Sequence, residues 1–73
     1  MSALIFKTKT RAIEACKIML REQNNIKKLT RVFTKNTSMQ CNCGETEAIV
    51  VVTIINGIAK SEFCGICKKC GAN

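Results

Sequence analysis

The chain has 73 residues, six cysteines, no histidine and a formal net charge of +7. This length allows a single domain over residues 1–73 with a marginal core, because so small a domain buries only about 60% of its unfolded surface. Such domains usually need disulfides, a metal ion or a partner subunit for stability. No apolar run approaches the roughly 20 residues of a membrane span, so we expect no membrane partner.

The start of the chain contains a short apolar stretch and then alternates lysine and threonine through Thr10. This stretch is too short for the apolar region of a signal peptide, and no small-residue cleavage site follows it. We therefore expect a cytoplasmic protein. Paired cysteines in that compartment more often bind metal than form disulfides.

Two elements are predicted first along the chain. Residues 3–8 favour a short strand at a sheet edge, where lysines discourage association with other strands. Residues 10–23 favour a helix with Thr10 as its N-cap and an end at Asn24 and Asn25. Apolar residues spaced by three and four form one stripe on this helix, and Cys16 on that stripe is interpreted as a small buried hydrophobe.

The segment 26–35 fits two interpretations. It predicts either a second helix beginning at Asn25 or a helical turn leading into a strand. On a helix, Lys27, Arg31 and Lys35 would share one face and could contact phosphates. Residues 36–38 are interpreted as a short polar linker.

The positive charge lies almost entirely in the first half of the chain. Residues 1–40 contain nine lysines and arginines against two glutamates, whereas residues 41–73 contain three of each sign. This imbalance favours an acidic partner, either nucleic acid or an acidic protein surface such as that of the transcription machinery. The candidate contact residues are Lys7, Lys9, Arg11, Lys27, Lys28, Arg31 and Lys35.

A β-hairpin is predicted in the second half. Residues 48–55 are β-branched and apolar on both faces, Asn56-Gly57 is typical of a two-residue turn, and residues 58–63 return as the second strand. This turn pairs Ile55 with Ile58. The same register places Ile49 opposite Cys64 and brings Cys43 towards Cys70.

Five of the six cysteines flank this hairpin, so folding should collect them at one end. Four thiolates at about 2.3 Å satisfy a tetrahedral zinc ion. The register favours Cys41, Cys43, Cys67 and Cys70 as the ligands, with Cys64 higher on its strand. Cys64 remains an alternative ligand, in the set Cys41, Cys43, Cys64 and Cys67.

The motifs Cys-Asn-Cys-Gly-Glu-Thr-Glu-Ala and Cys-Lys-Lys-Cys-Gly-Ala, on either side of the hairpin, resemble the two knuckles of zinc-ribbon proteins over residues 39–73. In the first knuckle one residue separates the cysteines where two are usual, and the fifth cysteine is additional. The resemblance implies a relative of transcription factors, RNA polymerase subunits, ribosomal proteins or small viral and phage regulators. The Asp-Glu pair at the hairpin tip of transcript-cleavage ribbons is absent, which argues against that role.

The expected fold is α+β, with a zinc-ribbon-like hairpin module (39–73) packed against one or two helices of a basic, mainly helical half (1–38). The zinc is expected to be structural and the protein not an enzyme, since four cysteines would close the site and histidine, the usual general base, is missing. We expect a nucleic-acid-binding or transcription-associated regulator. The alternative is a protein-interaction module that docks on RNA polymerase or associates with itself, because both faces of the strand 49–55 are apolar.

Overall fold

The structure is a computed structural model that describes residues 4–71. In that range it contains one helix and a four-stranded sheet, so the predicted α+β class is confirmed with one helix rather than two. Along the chain the elements are β1 (Leu4–Phe6), α1 (Lys9–Gln23), β2 (Phe33–Cys41), β3 (Gly44–Ile55) and β4 (Ile58–Ile66). The strand order in the sheet is β1-β4-β3-β2, with β1 parallel to β4 and the other pairs antiparallel.

Strand β1 lies at one edge of the sheet, as predicted, but it is shorter than expected. It spans three residues and pairs with the end of β4, so that Leu4 lies beside Cys64 and Phe6 beside Ile66. Ala3, at the start of the predicted strand, lies outside the described residues. The pairing places the end of β1 next to the second group of cysteines.

Helix α1 begins directly after Thr8, which is its N-cap in place of the predicted Thr10. Thr8 has an extended backbone, and its Oγ1 accepts a hydrogen bond of 3.3 Å from the backbone N–H of Arg11. Both threonines can cap, but only Thr8 precedes the first turn and reaches the third helical N–H. The end is as predicted, because Asn24 caps the helix and Asn25 takes a positive φ of 55°.

The apolar stripe of α1 forms half of the core. Ala12, Cys16 and Leu20 are buried against the sheet, where Ile49 and Val51 of β3 meet them. Partly buried side chains extend this cluster on both sides, namely Phe6, Ile13, Met19, Leu29, Val32 and Ile66. The prediction of a core-facing stripe with a buried Cys16 is confirmed.

The predicted second helix is wrong, and the alternative of a turn leading into a strand is correct. Arg31 takes a positive φ of 52°, which ends any helical path, and β2 starts two residues later. The hydroxyl of the buried Thr53 donates to the carbonyl oxygen of Thr30 at 2.6 Å and holds this segment against the sheet. Because no helix forms here, the predicted helical face of Lys27, Arg31 and Lys35 does not exist.

The predicted linker at residues 36–38 is also wrong, because these residues lie within β2. Asn36, Thr37 and Ser38 pair with Ile49, Ala48 and Glu47. Their side chains are exposed on the outermost strand, which explains a polar composition that resembles a linker. The strand is specified by pairing with β3 rather than by its own residues.

The hairpin of β3 and β4 is confirmed in turn and register. Asn56 and Gly57 both take positive φ values, 53° and 79°, as a type I′ turn requires. Ile55 pairs with Ile58, and Ile49 pairs with Cys64. The strands are longer than predicted and run from Gly44 to Ile66, so they continue down to the cysteine-bearing turns.

The sheet has one face covered by α1. Paired residues on neighbouring strands share a face, and Ile49, Val51 and Thr53 of β3 point to the helix. The alternate residues Val50 and Val52 point to the opposite side and are half-buried. The helix does not meet the length and hydropathy criteria of a membrane span, and it is the only helix within residues 4–71.

Candidate metal centre

The candidate site lies at the end of the sheet where two turns meet. Cys41 is the last residue of β2, and Cys43 lies in the turn before β3. Cys67 directly follows β4, and Cys70 lies in the turn after it. Strands β3 and β4 are antiparallel partners, so the start of β3 lies beside the end of β4. The turn before β3 and the turn after β4 are therefore neighbours.

The four Sγ atoms lie within 4.8 Å of one another. The Cys43 sulfur lies 3.1 Å from that of Cys70, and the Cys41 sulfur lies 3.7 Å from that of Cys67 and 4.0 Å from that of Cys70. In a tetrahedron with metal–sulfur bonds of about 2.3 Å the sulfurs are about 3.8 Å apart. The arrangement is therefore able to hold a metal ion after changes of up to about 1 Å in the sulfur–sulfur distances.

The first turn explains the unusual gap of one residue. Cys41 pairs with Gly44, so Asn42 and Cys43 form the two-residue connection between β2 and β3. The backbone N–H of Cys43 donates to the Cys41 sulfur at 3.4 Å, and Gly44 takes a φ of 111° that favours glycine. The gap of one residue thus places Cys41 at the end of β2 and Cys43 within the turn.

The second turn is fixed by contacts with β1. The N–H of Cys67 donates to the carbonyl oxygen of Phe6 at 2.8 Å, and the N–H of Gly71 donates to the carbonyl oxygen of Cys67 at 2.8 Å. A Cβ atom at position 71 would collide with the backbone of Phe6 and Lys7. Gly71 is thus required by close approach, and the short strand β1 holds the second pair of cysteines in place.

Backbone N–H groups favour a thiolate at the centre of the site. Hydrogen bonds from the N–H groups of Cys70 and Lys69 lower the pKa of the Cys67 thiol to about 6. The pKa of the Cys70 thiol is raised, chiefly by its hydrogen bond with Cys43. The Cys67 thiol is therefore the one most easily deprotonated, whereas Cys70 would lose its proton to water as a metal ion binds.

Cys16 and Cys64 form a second pair, away from this site. Both are fully buried between α1 and β4, with their Sγ atoms 2.7 Å apart. Burial is the main cause of a raised pKa for both thiols, so they are neutral near pH 7. Cys64, the alternative ligand, lies in the core with Cys16 and not among the four clustered thiols.

The predicted basic contact residues are all exposed, but they do not form one patch. Lys7, Lys9 and Arg11 lie at the metal end, around the start of α1. The others follow the far end of the helix, which is about 22 Å long, and comprise Lys27, Lys28, Arg31 and Lys35. Two further lysines outside the predicted contact set, Lys68 and Lys69, are exposed on the second cysteine turn.

No protein-family model matches the chain, and no curated protein or solved structure is significantly similar to it. The interpretation of the site therefore depends on its own geometry and chemistry.

Proposed function

We propose that the chain is a small structural-zinc protein that binds nucleic acid through exposed basic residues. The observation that carries the metal assignment is the convergence of four thiols from two turns within 4.8 Å. An all-sulfur tetrahedral donor set is typical of zinc, and Cys41, Cys43, Cys67 and Cys70 would supply all four ligands. The motifs that resemble zinc-ribbon knuckles fit this assignment.

A structural role suits the site better than a catalytic one. A catalytic zinc ion keeps one position for water, whereas four thiolates leave none. The chain has no histidine to act as a general base. In this proposal the ion joins the β2–β3 turn to the end of β4 and, through Phe6, to β1. Its binding energy then contributes directly to folding.

The proposed ligand, nucleic acid, follows from charge and exposure. The chain carries a net charge of +7, and the seven predicted contact residues all have exposed side chains. Lysine and arginine side chains that neutralise phosphates release counterions, so binding of this kind is steeply salt-dependent. Support is strongest for the segment after α1, where Lys27, Lys28 and Arg31 are close in sequence.

Binding of a fluorescent oligonucleotide at 50 and 200 mM salt tests this proposal. With about four phosphate contacts to a single strand, we expect the affinity to fall by about 50-fold over this range. A triple variant, Lys27→Gln, Lys28→Gln and Arg31→Gln, should bind less tightly and with a salt slope shallower by about 2 units.

The matched control removes the same charge outside the predicted contact set, at Lys17, Arg21 and Lys60. If both triple variants lose affinity equally, the effect is one of net charge and the contact residues are wrong. Absence of binding by the zinc-loaded protein at 50 mM salt contradicts nucleic-acid binding altogether.

A second candidate function is docking of a protein strand on β2. In the part of the chain that the structure describes, β2 pairs only with β3 and presents nine residues at the other edge. Lys35 is the only charged side chain along it. A long, weakly protected edge favours addition of a strand from a partner or a second copy. A monomer at all concentrations in sedimentation would exclude self-association through this edge.

A further inference from the structure

The face of the sheet opposite α1 carries an unexpected group of side chains. Two of the three phenylalanines, Phe33 and Phe63, lie on it, because they pair with Val52 and Val50 of β3. These valines point away from the helix. We call this surface, defined by Phe33, Lys35, Val50, Val52 and Phe63, the open face.

No helix or strand among residues 4–71 packs on the open face, since the contacts of α1 are with β1, β3 and β4 and its buried partners lie on the other side. Phe33 is 58% exposed, so more than half of this residue is open to contact. Val50, Val52 and Phe63 are half-buried by their neighbours alone. Near the four clustered cysteines, the Met39 side chain covers Gly65. The exposed part of the open face is therefore the part nearer the start of β2.

Lys35 gives the open face its charge. It lies opposite Val50, in the same row as Phe63, and two residues from Phe33 on the same side of β2. From strand spacing and residue rise, the two aromatic residues are about 12 Å apart. Lys35 lies to one side of the line that joins them, about 5 Å from it, where its long side chain can reach the backbone of a strand that crosses both rings.

We propose that the open face is a stacking platform for single-stranded nucleic acid, on which Phe33 and Phe63 each stack against a base and Lys35 contacts the intervening phosphate. This rests on the proposed nucleic-acid function and specifies its ligand as single-stranded. Exposed aromatic rings on a sheet stack unpaired bases, whose faces are hidden in a duplex. The apolar valines between the rings match the flat faces of the bases.

Charge argues against a second copy as the occupant. Packing two open faces together would bury the Lys35 ammonium groups of both copies in an apolar interface, which is costly without an anionic partner. Each copy also carries a net charge of +7, which repels the other. A polyanion removes both costs, because its phosphates neutralise the lysine.

The chain contains no tryptophan, so a single one can report on stacking. We expect Phe33→Trp to bind a short oligothymidylate with undiminished affinity and to lose tryptophan emission on binding. Ile58→Trp is the matched control, because Ile58 is equally exposed at 58% and pairs with Ile55 on the helix side of the sheet. Its emission should not change.

Affinity changes provide the second measurement. Phe33→Ala should weaken binding of the single strand by about 5- to 150-fold, with Ile58→Ala unchanged. Lys35→Gln should reduce the salt slope by about 0.7. Lys60→Gln should leave the slope unchanged, because Lys60 pairs with Thr53 on the helix side of the sheet. Phe63→Leu keeps the apolar volume and should also weaken binding.

Three results overturn the platform, and they are distinguishable from failure of the proposed function. If the protein binds duplex more tightly than single strands and Phe33→Ala behaves like Ile58→Ala, nucleic-acid binding stands but the platform is wrong. If sedimentation shows a dimer that Phe33→Ala dissociates, the open face is a protein interface. If neither single strand nor duplex binds at low salt, both proposals fail.

Discussion

Replacing Cys67 by serine is expected to abolish zinc binding and to unfold the end of the sheet where the four cysteines meet. Cys67 is 7% exposed, and its sulfur accepts hydrogen bonds from backbone N–H groups, which stabilise a thiolate. A serine hydroxyl remains protonated and is a poor zinc ligand, so the site loses its fourth donor. Structural zinc contributes on the order of 10 kcal/mol in small domains, comparable to the whole stability of this chain.

The measurement is zinc content by native mass spectrometry together with thermal unfolding. We expect one zinc per chain in the unmodified protein and none in Cys67→Ser, whose unfolding transition should broaden or disappear. Cys64→Ala is the matched control, because Cys64 is also a buried cysteine but lies beside Cys16. Loss of zinc from Cys64→Ala, or one zinc retained in Cys67→Ser, contradicts the ligand assignment.

Replacing Leu20 by alanine is expected to lower the free energy of unfolding strongly. Leu20 is 1% exposed and lies in the core cluster with Ile49 and Val51. Loss of a buried leucine side chain costs about 2–5 kcal/mol, since it removes apolar burial and leaves a cavity. A chain of this length has about 4–11 kcal/mol of stability, so the variant should lose a large share of it.

Urea unfolding of the zinc-loaded protein measures this loss, and Ile18→Ala is its control. Ile18 lies on the same helix but is 46% exposed, so its truncation should change the free energy of unfolding by less than about 1 kcal/mol. Equal losses in the two variants would mean that α1 does not pack on the sheet through its Ala12, Cys16 and Leu20 stripe.

The β3–β4 hairpin and the four clustered cysteines could be predicted because their signals are local. Asn56-Gly57 sets the turn, the turn sets the register, and the register leads to the cysteines at the far end of the strands. The stripe of α1 was likewise visible from residue spacing. In each case a few neighbouring residues determine the geometry.

The sequence predicts strand β2 only as one of two alternatives for residues 26–35, and not beyond residue 35, because its residues carry little information of their own. Strand Phe33–Cys41 is mostly polar and exposed, and it forms by pairing with β3, to which a two-residue turn connects it. The error had two consequences. The two-residue turn at Asn42 and Cys43 was not recognised, and neither was the placement of Phe33 and Lys35 on one face with Phe63.

The cap of α1 shows a smaller difference of the same kind. Thr8 and Thr10 are equally good capping residues, and the choice depends on where β1 ends and how its end joins the second cysteine turn. The contact between β1 and the second cysteine turn cannot be predicted from residue spacing. Tertiary contacts therefore decided the helix start, the path of residues 26–32 and the location of β2.

X-ray absorption at the zinc edge can show directly whether the four cysteines hold a zinc ion, because it counts the atoms bound to the metal. For the protein purified with zinc, we predict four sulfur neighbours at about 2.3 Å and no oxygen or nitrogen in the first coordination sphere. A sphere of three or fewer sulfurs completed by oxygen or nitrogen would contradict a closed structural site. Protein without zinc whose mass is lower by four hydrogens would instead indicate two disulfides among the cysteines.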